Sequence, residues 1–325
     1  MTDAPTAAPC VGIDVAATAL VVARTDTAAV AAYPNTPAGH AALAAALGKA
    51  PAPARVVVEA TGGYERLLVA HLAGAGLPVV VINPRQARDF AKATGQLAKT
   101  DRVDARVLAA FGGRVAPPLR PLPDALHEEL RELLDRRHQL LQMLVAERTR
   151  LTQPAGPRPK RVRQDLKSHV ADLEKRLRRL DADLDDTLRA SPLWLAQDEL
   201  LRSVPGIGPQ TARTLLAFLP ELGTVSPRVI ARLAGLAPLA RESGSWRGAR
   251  RTGGGRPAVR ACLYMATLAA VRANPRVRAW YTALVARGKP KRVALIACMR
   301  KLLVVLNAML ARGTRWQPLD AHTTP

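Results

Sequence analysis

Cysteine is scarce, with three in 325 residues. Cys10, Cys262 and Cys298 are too few and too far apart for a disulfide framework or a cysteine-rich zinc site, so a reducing, cytoplasmic compartment is expected. Long apolar runs are missing as well. None approaches the roughly 18 residues of a bilayer span, and no membrane partner is expected. The opening MTDAPTAAPC has neither the basic start nor the apolar core of a secretory signal. Acid is the third shortage. Asp and Glu total 26 against 48 Lys and Arg, a net charge of +22, while a hydrophobic content of 48% excludes a disordered chain. A field of that sign attracts polyanions, nucleic acid above all. A genome's codon bias can enrich Arg and Ala, but here the excess is localised. From Gln197 onward there are 21 Lys/Arg and 5 Asp/Glu, whereas the first 196 residues hold 27 and 21.

Against this basic background the placement of the acids is informative. CVGIDVAATALVVAR, from Cys10 to Arg24, reads as a β-hairpin turning around Ala16 to Ala19, with Asp14 inside the first strand. A buried, unpaired carboxylate is expensive, so Asp14 is either exposed on an edge or neutralised by a cation. A helix follows from Thr36 to Leu47, with Pro37 in its first turn. Arg55 to Glu59 is an apolar strand ending in an acid and a Gly turn, the strand end at which open α/β sheets place their sites. A helix from Tyr64 to Ala75, a strand from Pro78 to Ile82 and a helix from Arg85 lead to Lys99-Thr-Asp-Arg-Val-Asp-Ala105. Asp101 and Asp104 are three apart, on one face of a helix, and could reach one cation together. The same residues also suit a plain helix start, with Thr100 or Asp101 as N-cap and acid favoured by the helix dipole. The element order predicts an α/β domain with a mixed sheet. Its acids follow the plan of the RNase H-like fold, RuvC-type resolvases included, where such carboxylates hold two Mg²⁺ ions around a phosphodiester.

After a linker at Pro117 to Pro123 the apolar period changes to heptads. Leu126, Leu130, Leu133, Leu140, Leu144 and Leu151 form one seam, interrupted by Arg137 and Arg148, and a second runs from Leu166 through Leu177 to Leu188. With the loop Gln153 to Arg161 between them, they predict an antiparallel coiled-coil hairpin, either part of a bundle within one subunit or an arm for oligomerisation. Its basic tip, Arg158 to Arg163, could touch nucleic acid. Leu201 to Leu219 matches the helix-hairpin-helix pattern, with Gly206 and Gly208 allowing backbone to approach phosphate, or serving structure alone. Between Gly235 and Met265, Ser243 and Ser245 stand in a loop with Arg247, Arg250, Arg251, Arg256 and Arg260, beside the flexible Gly253 to Gly255. A serine there has an anion to meet, although most loop serines only make turns. Trp246 could stack on a base or pin the loop. Helices from Arg260 to Arg272, Pro275 to Ala286 and Lys289 to Leu310 would supply the core. Three domains result: 1–120, α/β and metal-binding; 121–195, the arm; 196–318, mainly helical, with the serine loop.

GIDV, VEATGGY, VINP, KTDRVDA, SVPGIG, GLAP, ESGSWRG, GGRPAVR and LYMA occur in one order from Gly12 to the last helix near Leu310. In this series the chain resembles the DEDD-type insertion-sequence transposases of the insertion-sequence-110 kind. The resemblance implies a RuvC-like domain in which Asp14, Glu59, Asp101 and Asp104 hold Mg²⁺, and a C-terminal transposase domain with Ser243 as nucleophile. It further implies a tetramer of two dimers, with acids and serine drawn from different subunits. Donor and target DNA would be chosen by a noncoding bridge RNA, the protein being nucleoid-associated when acting. The alternative from the residues is a metal-dependent, junction-resolving nuclease of the same fold, in which water attacks.

Overall fold

The computed structural model describes residues 8–119, 125–153, 159–240 and 242–317. Residues 120–123 of the expected linker, and residues 154–158 of the expected inter-helix loop with its Arg158, lie outside the described residues. Internal packing divides the chain into two compact units, Met1–Leu122 and Pro123–Pro325.

The first unit is built on a five-stranded sheet. β1 (Cys10–Val15), β2 (Ala19–Arg24) and β3 (Val30–Pro34) form an antiparallel meander, and β4 (Arg55–Glu59) and β5 (Val79–Ile82) add in parallel on the other side of β1, giving the order β3-β2-β1-β4-β5. The mixed sheet is consistent with the RNase H-like plan. β3 was not expected. Its segment VAAYP is mostly exposed at the sheet edge and lacks the apolar alternation that reveals a half-buried strand. The helices are α1 (Pro37–Lys49), α2 (Arg66–Gly74), α3 (Pro84–Ala93) and α4 (Asp101–Val115). Thr36 caps α1 and Asn83 closes a capping box on α3. For α4 the cap is Thr100, whose side chain accepts from the Val103 N–H, so Asp101 and Asp104 fall in the first turn.

Alternation along the strands separates two faces. Val11, Ile13, Val15, Val56 and Val58 pack with Leu43, Leu47, Leu68 and Leu72 of α1 and α2. The opposite face receives α4. There Val57, Val80 and Ile82 meet Leu108 and Phe111. Contact is closest at Gly12, where a Cβ would stand 2.2 Å from both the Ala105 carbonyl oxygen and the Ala109 nitrogen. Gly112 of α4 answers it from the helix side, lying against Cys10 and Val57. Asp14 shares Gly12's face, and Glu59 shares Val57's.

The second unit is helical. α5 (Ala125–Thr152) and α6 (Lys160–Arg189) run antiparallel, as their ion pairs show: Arg137 meets Asp181 at 2.7 Å and Arg148 meets Glu174 at 2.6 Å. The two arginines that interrupt the leucine seam are thus used across it. Leu140, Leu144, Leu173 and Leu177 make a small core along the pair, while Leu130, Leu134, Leu184 and Leu188 join the main core of the unit. That core is completed by α7 (Pro192–Arg202), α8 (Pro209–Phe218), α9 (Pro227–Leu233), α10 (Pro257–Ala273), α11 (Pro275–Ala286) and α12 (Lys291–Arg312). Between α9 and α10 lie short strands: β6 (Pro238–Leu239) pairs with β9 (Arg251–Thr252), and β7 (Glu242–Ser243) with β8 (Trp246–Arg247). One expectation is amended. By length and composition α12 could cross a membrane, but half of its apolar window is buried within the protein, with Cys298, Leu302, Leu303 and Leu306 in the core. The cysteines are unpaired, as expected.

The Gly12 contact sets a test. A Gly12→Ala substitution should destabilise the protein by at least about 3 kcal/mol, because backbone cannot yield as a side chain can. Gly113→Ala, on the same helix with open space around it, should be neutral or stabilising by roughly 0.5–1 kcal/mol. Chemical denaturation of both variants measures the difference.

Candidate functional site

The parallel strands β1 and β4 end on the same edge of the sheet, and their last residues on the α4 face are Asp14 and Glu59. The first turn of α4 brings Asp101 and Asp104 to that edge. Electrostatics records the convergence. Burial, and after it Asp101, Asp104 and Glu59, push the Asp14 carboxyl up to about 6. Glu59 is also raised, by burial and then by Asp104, while Lys99 and Arg88 pull it the other way. Asp14 is thus within electrostatic reach of the other three predicted acids, and Glu59 of Asp104. Their donor chemistry, carboxylate oxygen without thiolate or imidazole, suits a hard divalent cation such as Mg²⁺. Among the described residues, however, no three His, Cys, Asp or Glu already stand in a metal-holding arrangement. The acids are gathered at one edge without yet forming such a group.

Two residues that sequence reasoning passed over hold this edge in place. The buried Glu65 carboxylate accepts from Thr61 N–H at 3.1 Å, Gly63 N–H at 2.9 Å and the Thr61 hydroxyl at 3.0 Å, fixing the loop that follows Glu59. Burial alone would raise its pKa, but these bonds outweigh burial and hold the carboxyl below its usual value. Asn35 donates to the Ala16 carbonyl at 2.9 Å and the Tyr64 carbonyl at 3.3 Å, tying the turn after Asp14 to the loop after Glu59. His40, buried behind it, bonds the Asn35 oxygen at 2.7 Å. The only sequence signal for either residue was a polar side chain flanking a turn.

In the second unit Ser243 ends β7, opposite Trp246, with Gly244 and Ser245 as the two-residue turn and Gly244 at φ 54°. Both serines and Trp246 are exposed. Glu242 binds Arg247 at 2.7 Å and Arg250 at 3.4 Å, so two of the five predicted arginines flank the hairpin through one carboxylate. Arg251 is exposed on β9. Arg256, half-buried, is bonded to Glu221 and the Phe218 carbonyl, and Arg260, also half-buried, to the Gly254 carbonyl. Gly206 also faces inward: at φ 103°, its Cβ would strike Ala270 of α10. Gly208, by contrast, is exposed at the start of α8, where no side chain caps the helix.

Comparison with known proteins bears on both units. Residues 11–154 match a family model for DEDD transposases of the IS110 kind, and residues 198–282 match one described as the IS116/IS110/IS902 transposase family. The chain is 34% identical over 155 residues to the IS110 insertion-element protein of Streptomyces coelicolor, covering 47% of this chain and 37% of that protein. It is 29% identical over 269 residues to the pilin gene-inverting protein of Moraxella lacunata, covering 82% of this chain and 81% of that one, and equally so to its Moraxella bovis counterpart.

The raised Asp14 carries a prediction with a definite sign. Its folded-state pKa lies above the model-peptide value of 3.8, so its favourable contribution is complete below that value and is lost as pH rises through about 6. Without divalent metal at pH 7.5, Asp14→Asn should therefore melt higher than wild type, on the order of 1 kcal/mol or roughly 2–4 °C after discounting for solvent screening. The gap should close as the pH falls to 4. Added Mg²⁺ should raise the melting temperature of wild type more than that of the variant, as differential scanning fluorimetry would record.

Proposed function

Because this chain belongs to the IS116/IS110/IS902 family of transposases, we propose that it breaks and rejoins DNA strands through a covalent serine–phosphate link, directed by a noncoding bridge RNA. The observation that carries this reading is the gathering of Asp14, Glu59, Asp101 and Asp104 on one sheet edge of a strongly basic protein. Four carboxylates repel a nucleic-acid backbone unless cations intervene. These four would hold Mg²⁺, as two ions, whose chemistry when bound is to polarise the scissile phosphate and stabilise the leaving 3′ oxygen.

Ser243 supplies the nucleophile. Its exposed place at the end of β7, next to the hairpin turn, leaves the hydroxyl open to a phosphodiester. The Oγ–P bond forms, the bond from phosphorus to the 3′ oxygen breaks, and the hydroxyl proton accounts for the hydrogen of the released 3′-OH. The 5′-phosphoserine conserves the phosphodiester's energy, so the 3′-OH of another strand can reverse the step without ATP. Arg247, Arg250 and Arg251 would offset charge on the transferring phosphate, while Arg256 and Arg260 keep the serine loop on the helical core. The name of the Moraxella relatives, gene inversion, fits strand exchange better than hydrolysis by water.

The remaining parts take roles in assembly. Residues 1–120 form the metal-binding domain, 121–195 the coiled-coil arm that pairs subunits, and 196–318 the serine domain. Two dimers join as a tetramer, with the acids of one subunit serving the serine of another. The turn between α7 and α8 acts as a helix-hairpin-helix on the DNA backbone, through the exposed start of α8 at Gly208. Donor and target DNA are selected by pairing to the guide.

The test traps the intermediate. Purified protein, Mg²⁺, the element's flanking RNA and labelled donor DNA are incubated, then denatured, with wild type, Ser243→Ala and Asp104→Asn in parallel. A protein–DNA adduct is expected for wild type and absent from both variants. Metal-dependent cleavage that persists in Ser243→Ala without any adduct would mean that water attacks, and would replace this reading with that of a hydrolytic, junction-resolving nuclease.

A further inference from the structure

The second unit contains a cavity of about 400 Å³ between β9, α10 and α12, of whose lining residues only Arg260 has been given a role above. Its floor is apolar, with Leu236 and Met299 buried in the core. Its rim is not. Arg260 and Tyr264 come from α10, Arg292 from α12 and Thr252 from β9. Among the described residues no Asp or Glu lines it, while Arg260 and Arg292 do, Arg260 also donating to the Gly254 carbonyl. Tyr264 is 36% exposed, large and flat, and is placed where a ligand would touch it. The volume lies in the range of small-molecule sites, and an apolar floor with an aromatic wall suits a flat, poorly hydrated ring. Two arginines at the mouth suit phosphates on either side of that ring. A nucleotide within a strand joins those features in one ligand.

Position favours the same occupant. β7 and β8, which carry Ser243, emerge from the ladder of β6 with β9, and Thr252 of that ladder lines the cavity. A strand whose phosphate reaches the hairpin passes the cavity mouth within the same unit. We propose that the cavity receives one base of the DNA strand, unstacked from its neighbours, with Tyr264 against the ring and Arg260 and Arg292 on the flanking phosphates. Enzymes that must reach inside a duplex extrude a nucleotide in this way, and a stacked aromatic accepts any base. The identity of the strand rests on the transposase reading above, whereas the existence of the pocket does not.

The experiment measures binding alone, so its outcome is independent of adduct formation. Fluorescence anisotropy would compare a ten-nucleotide oligothymidylate with the same backbone carrying abasic residues, using the full-length protein over a series of salt concentrations matched between the two strands. Wild type and Ser243→Ala should both prefer the base-bearing strand by about tenfold. Tyr264→Ala should erase that preference while leaving affinity for the abasic strand unchanged, and Tyr264→Phe should restore it. Arg292→Ala should weaken both strands alike and lower the salt slope by about one. Equal binding of the two strands by wild type overturns the proposal. So does a base preference that survives Tyr264→Ala and disappears in Trp246→Ala, which would place the stacking on the exposed hairpin instead.

Discussion

Side chains ordinarily hold a helix away from the sheet it covers, and at Gly12 there is none. The backbone of β1 and the backbone of α4 come together there, against Ala105 and Ala109, and Gly112 makes the matching concession one turn beyond. From that contact the site follows by geometry. Asp14 lies two residues further along the strand on the same face, and Asp101 and Asp104 occupy the turn of α4 just before Ala105. A bulkier strand would lift the helix and carry two acids away from the other two. The stability of the layer and the spacing of the carboxylates therefore depend on one absent methyl group.

Much of the first unit was legible in the chain because each element carries its own local signal. Thr36-Pro37, Asn83-Pro84 and Thr100-Asp101 announce helix starts through capping chemistry that needs no tertiary context. The four acids were legible because carboxylates within apolar patterns have few structural uses. What escaped notice depends on neighbours distant in sequence. β3 owes its existence to the free edge of β2, not to its own small and proline-containing residues. Asn35 gains its role only when Ala16 and Tyr64 are brought to either side of it, and Glu65 only when the Thr61–Gly63 loop folds back over its carboxylate.

Charge in the second unit needs a similar correction from composition to placement. A surplus of arginine suggests a uniform adhesive surface, yet the few acids there are used selectively. Asp198 holds Arg202, Glu199 holds Arg315, Glu221 holds Arg256, and Glu242 holds Arg247 with Arg250. Arg213 is buried in α8 and tied to Asp185 of α6, so its charge joins two helices. Of the two roles open to Gly206, approach to phosphate or structure alone, its packing against Ala270 fits the structural one. Counting residue types identified the class of ligand, but only packing tells which cations remain to meet it.

The carboxylate of Glu242 has a consequence for discrimination. Because Glu242 already offsets the charge of two guanidinium groups beside Ser243, a newcomer meets each arginine partly neutralised by a tethered anion of the same protein. A stray inorganic ion must compete alone against a partner whose local concentration never falls. A nucleic-acid strand, anchored at several other places, brings its phosphate at a comparably high effective concentration and can displace the carboxylate. Under the serine chemistry proposed above, the pair of salt links would favour a polymer already docked elsewhere over a lone small anion.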